Sequence, residues 1–119
     1  MSSFADILKN LVESVPGALG AIFADWEGEM VDQFAHIPAI EIQLVGAHWG
    51  VVLMQTNQRT EPLGFGRVEE LTVEGERATV LIRKVTNEYF VVLTAKHDVH
   101  LATARRALQR GADILRGEM

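Results

Sequence analysis

Between Pro38 and Asn57 the sequence carries two apolar stripes on one helix-length segment. At about 100° per residue, Ile40, Leu44, Ala47, Val51 and Met54 gather on one side, and Ile42, Val45, Trp49, Val52 and Leu53 gather nearly opposite. Two narrow bands separate them: Glu41, His48 and Gln55 on one flank, and Gln43, Gly46 and Gly50 on the other. A surface helix normally has one apolar stripe, so a helix with two must be covered on both sides. A chain of 119 residues has one core's worth of material. The second cover is therefore expected to be another subunit, and the chain is expected to work as an interface.

Composition fits that expectation. The chain is 48% hydrophobic and 23% charged, the balance of a folded domain. Its net charge of −5 argues against general nucleic-acid binding, which needs clustered Lys and Arg. Without cysteine there is no disulfide framework and no thiolate chemistry, which suits the cytosol. The first residues lack a basic signal segment, and no apolar run approaches the ~20 residues of a membrane span. A cytoplasmic, single-domain protein over residues 1–119 is the expectation.

The rest of the chain reads as helix, two strands, the striped helix, three strands, helix. Ser3 can cap a first helix with Phe4, Ile7, Leu8, Leu11 and Val15 on its buried face, closed by Pro16-Gly17. Strands are expected at 18–25, 29–34, 67–74, 78–85 and 89–96, and 57–66 is a polar connection. Asp98 is the expected cap of the last helix. The strands 18–25 and 89–96 are apolar on both faces and belong side by side in the middle of an antiparallel sheet. Their hairpin partners then fall outward, which predicts the order 2-1-5-4-3. The first and last helices cover one face and the striped helix the other, a three-layer α/β/α unit of α+β type.

These residues resemble the Roadblock/LC7 family over nearly the whole chain. The likeness is carried by Val15-Pro16-Gly17-Ala18 and Asp25-Trp26-Glu27-Gly28, then by Leu63-Gly64-Phe65-Gly66 and Glu69-Glu70-Leu71-Thr72-Val73-Glu74. Phe90-Val91-Val92-Leu93 before a capped final helix completes it. The resemblance implies a fold with a profilin- or longin-like layout. It also implies pairing of two copies through the middle helix and third strand, adding Leu71 and Val73 to an interface of Ile42, Val45, Trp49, Val52 and Leu53. Family members are non-enzymatic platforms, many for Ras-like small GTPases, others for dynein subunits or lysosomal scaffolds. Bacterial members of the MglB type form homodimers that act as GTPase-activating proteins, reshaping the GTPase without donating a catalytic residue. The sequence stops three residues after Arg116, so no C-terminal extension against a GTPase is expected.

Individual residues leave alternatives. Gly46 and Gly50 serve close approach of a helix pair or make room for the sheet beneath. Trp49 anchors a subunit interface or lies under the 57–66 connection, and Trp26 marks a second contact or folds back over the sheet edge. Glu69, Glu70, Glu74 and Glu76 meet a basic partner or guard an edge strand. Arg59 could reach a partner's phosphates as an arginine finger, or simply be a solvated loop charge. His97 and His100 bracket Asp98, and His36 and His48 lie elsewhere, so no metal-ligand set forms. A nucleophile elbow and a phosphate-cradling loop are both missing. No catalysis, cofactor or metal is expected.

The expected function is a homodimeric regulator or scaffold for a bacterial Ras-like GTPase, read through Glu41, His48 and Gln55. A structural adaptor gripping a linear helical peptide is the alternative, and an enzyme or ligand sensor ranks last. Which stripe faces the sheet is open to reversal, because periodicity is blind to it; Ile40, Leu44, Ala47 and Val51 are the expected sheet side.

Overall fold

Ser3 starts the chain's first helix as the spacing predicts: its Oγ accepts the Asp6 N–H at 3.1 Å, and α1 runs Phe4–Glu13. The computed structural model describes residues 3–119, except the side chains at 39, 40, 42–44, 46 and 47. After α1 come β1 (Ala18–Asp25), β2 (Met30–Ala35) and α2 (Ala39–Thr60). A short 3-10 turn over Glu61–Leu63 leads to β3 (Glu70–Glu74), β4 (Ala78–Lys84), β5 (Tyr89–Lys96) and α3 (Leu101–Gly117).

The five strands form one antiparallel sheet in the order β2-β1-β5-β4-β3, as expected. β1 and β5 are neighbours, paired from Ala18↔Ala95 to Asp25↔Tyr89. The two-residue period of a strand sends alternate side chains to opposite faces. Ala21, Phe23, Leu81, Val91 and Leu93 therefore join Leu8, Leu11, Leu108 and Leu115 in the core under α1 and α3. Ile22, Ala24, Val80, Ile82, Phe90 and Val92 form the opposite core, with Leu53 of α2. Both layers predicted for the helices are present. No helix among the described residues is long and apolar enough to cross a membrane.

Three boundaries differ from the sequence expectation. Helix α2 continues past Asn57 to Thr60, consuming the start of the expected connection. β3 begins at Glu70 and not near 67: Asn57 Oδ1 takes the Val68 N–H at 2.7 Å and diverts that segment onto the helix. Asp98 does not cap the last helix; His100 does, its Nδ1 accepting the Thr103 N–H at 3.3 Å and meeting the Thr103 hydroxyl at 2.8 Å. An imidazole nitrogen supplies the acceptor that a carboxylate usually provides. His100→Ala is expected to lower stability by about 1 kcal/mol and His100→Asp to restore it, as read from urea denaturation midpoints.

Candidate interaction surface

Helix α2 turns the other way from the expectation. Leu53 is 1% exposed against the sheet, and Val45 and Trp49 are half-buried on the same core cluster. Val51 is 50% exposed and Met54 41%. The reason is local volume. The Phe90 ring rises from β5 beneath the helix, and a Cβ built at Gly50 would lie 2.8 Å from its Cζ. Only the side of α2 that carries a glycine can settle over that ring, which brings Trp49 and Leu53 down beside it. Gly50 therefore makes room for the sheet, while Gly46 lies outside the described residues.

Of the residues expected at a subunit interface, Leu53 belongs to the protomer's own core, and Val45 and Trp49 are sheet-packed. Val52 is half-buried, as are Leu71 and Val73 on β3. Ile42 lies outside the described side chains, as do Ile40, Leu44 and Ala47 of the other stripe. Glu41, His48 and Gln55 are all exposed. Their seven-residue spacing puts them in one line along the helix, beside Val51 and Met54. Among the described side chains, the outward face of α2 thus carries Val51 and Met54 beside a polar line.

The charges near β3 are mostly used inside the chain. Glu70, with a 10% exposed side chain, takes Arg105 Nε of α3 at 2.7 Å and its cross-strand partner Arg83 at 3.4 Å. Glu69 meets Lys84 at 3.5 Å. Glu74 and Glu76 are exposed. Glu70 thereby ties the edge strand to α3. Glu70→Gln is expected to cost about 1–3 kcal/mol in chemical denaturation, toward the lower value because half of the Arg105 side chain is in water.

At one end of the sheet three segments meet on a single carbonyl. Asn87 O, in the β4–β5 turn, accepts Trp26 Nε1–H at 2.7 Å and Arg67 Nη1–H at 3.5 Å. Trp26 folds back over the sheet, its ring 5.3 Å from that of Phe90. In the loop after α2, Leu63 and Phe65 are 69% and 77% exposed. Their loop is fixed nonetheless. Gly64, at φ 82°, donates to Glu61 O, Phe65 N–H reaches Thr60 O at 3.2 Å, and Thr60 Oγ1 donates to Gly66 O at 3.0 Å. Leu63 and Phe65, alternating with Gly64 and Gly66 in an otherwise polar connection, are the sequence signal for this presented loop. Arg59 is exposed in the last turn of α2, on the helix and not in the connection. Among the described residues, no three His, Asp or Glu side chains gather as a metal would require.

No protein-family model and no curated protein matches this sequence. Solved structures do. A Roadblock/LC7 domain from Streptomyces avermitilis superposes with a TM-score of 0.86 at 13% identity, covering 94% of this chain and 93% of that one. MglC from Myxococcus xanthus is 27% identical, with a TM-score of 0.69 and coverage of 95% and 96%. The chain has the Roadblock/LC7 fold. An MglB structure described in a tetrameric arrangement matches at a TM-score of 0.83 and 17% identity, covering 93% of this chain and 83% of that one. In this fold β2 and β3 are the edge strands of the sheet, and α2 packs on the face opposite α1 and α3.

Proposed function

We propose that this chain is a non-enzymatic, cytoplasmic regulator or scaffold of a Ras-like small GTPase, acting as a homodimer. The observation that carries the reading is the outward face of α2, where exposed Val51 and Met54 lie beside the exposed line of Glu41, His48 and Gln55. Apolar side chains in such a strip are costly in water and gain about 25 cal/mol per Å² when covered. The fold likeness to MglB and MglC supports the choice of a GTPase partner. In this reading a second copy covers the Val51–Met54 strip, and the open edge of β3 pairs with its counterpart. The polar line then borders the paired helices and meets the GTPase.

The test is the rate of nucleotide exchange and of hydrolysis on a co-encoded small GTPase, with and without the protein. A change in either rate, or a stable complex, is expected. The absence of both would end the proposal.

The groove between α1 and α3 favours a second reading, an adaptor for a linear helical peptide. Ile7, Leu11 and half-exposed Ile114 give it an apolar lining, Asn10 and Arg110 border it, and its volume is about 250 Å³. Recovery of a helical or coiled-coil partner without any GTPase in a pull-down would select this reading.

A further inference from the structure

Beyond the α2 strip, and continuous with it through Met54, a hollow of ≈ 340 Å³ opens between the end of α2 and the hairpin tips. Trp26, Met54, Gln58, Glu61, Arg67 and Asn87 line it. Its walls are an indole and a thioether, surfaces suited to an alkyl stem or a guanidinium plane. Its far side holds the Glu61 carboxylate at the C-terminal end of α2, where the helix dipole also favours positive charge. One guanidinium already crosses it: Arg67 lies 3.5 Å from Glu61 Oε1 and 3.5 Å from Asn87 O. Both contacts are long, and the two side chains are 50% and 53% exposed, so this occupant is loosely held.

We propose that this hollow is a recognition pocket for a basic side chain, arginine before lysine, presented by a protein partner, with Arg67 as its resident stand-in. The incoming guanidinium lies along Trp26 and Met54, takes the Glu61 carboxylate, and displaces Arg67 into solvent. The indole is the rigid element of the pocket, because its N–H is bonded to Asn87 O at 2.7 Å and its ring rests on Phe90. The inference rests on reading the α2 face as a partner surface, and it names the chemistry of the partner residue that reaches the end of that face.

The experiment is a nuclear magnetic resonance titration of the isotope-labelled full chain with the blocked tripeptide Gly-Arg-Gly. The same peptide with lysine, citrulline or glutamate in the middle supplies the comparison. The arginine peptide is expected to move the Trp26 indole signal and the Gln58 and Glu61 amides saturably, while the Trp49 indole stays still. Citrulline, which has the shape without the charge, and glutamate are expected to leave them in place. Glu61→Gln should weaken binding about tenfold, the worth of a charge-assisted hydrogen bond. Arg67→Ala should tighten it, because the competitor is gone. Both positions are exposed, so unchanged amide signals in the sheet will confirm that the variants fold. Equal response to arginine and citrulline, a still Trp26 indole, or weaker binding in Arg67→Ala would overturn the proposal. Arginine binding without any effect on a GTPase would sink only the functional reading; GTPase engagement without arginine binding would sink only the pocket.

Discussion

Glutamate at Leu53 is expected to unfold the protomer, and glutamate at Val51 to leave it folded. Leu53 is 1% exposed among Ile22, Val80, Ile82, Phe90 and Val92. Removing a buried leucine costs about 2–5 kcal/mol, and a carboxylate in its place would be buried among apolar side chains. The sum exceeds much of a small domain's total stability of about 5–15 kcal/mol. Val51, half in water, has no such constraint, and its substitution should change the protomer's melting by less than about 0.5 kcal/mol. In the proposed homodimer, the Val51→Glu effect should appear in sedimentation instead, as a shift toward monomer. Circular dichroism and sedimentation of the two variants decide the matter together. A folded Leu53→Glu beside an unfolded Val51→Glu would turn the helix over, to the orientation with Ile40, Leu44, Ala47 and Val51 on the sheet.

The second large effect lies where α2 meets β5. Phe90→Ala should cost about 3–5 kcal/mol, since the ring is fully buried between Gly50 and Trp26. Gly50→Ala joins two opposing terms. Alanine gains about 1 kcal/mol of helix propensity, but its Cβ would stand 2.8 Å from Cζ of a fully buried Phe90 ring that also packs on Trp26. Overpacking of that kind costs about 1–3 kcal/mol, so the natural background should lose stability. In a Phe90→Leu background the obstruction is gone and the same substitution should stabilise by up to about 1 kcal/mol. A reversal of sign across the double-mutant cycle is the expected signature of this contact. A stabilising Gly50→Ala in the natural background would show that the helix does not rest on the ring.

The strand order could be read from the chain because it depends on local counts. β1 and β5 are apolar on both faces, so they had to be central, and short turns fixed their partners. The Ser3 cap was equally local. The orientation of α2 was not, since two opposite stripes map onto each other when the helix is rolled by half a turn. What breaks that symmetry is a missing side chain at Gly50 facing a large one at Phe90, forty residues away. No window of sequence contains both. The cap of α3 was misread for a related reason: Asp98 is the better capping residue by type, but Val99 is drawn into the core and the helix starts only after His100. Glu41, His48 and Gln55 are exposed because they sit on the border between stripes, and either orientation of the helix leaves them wet. The salt bridges of Glu70 and the hollow beside Trp26 join residues from separate strands and helices, which one-dimensional spacing cannot bring together.

The bond from Trp26 to Asn87 has an asymmetric mutational exposure. Its donor is a side chain and its acceptor is main chain. Drift at position 87 can replace the asparagine with nearly any residue and still present the same oxygen to the indole. Drift at position 26 has no such tolerance, since phenylalanine and tyrosine lack a ring N–H. The geometry at this end of the sheet thus hangs on one codon, while its opposite anchor is insured by the backbone itself.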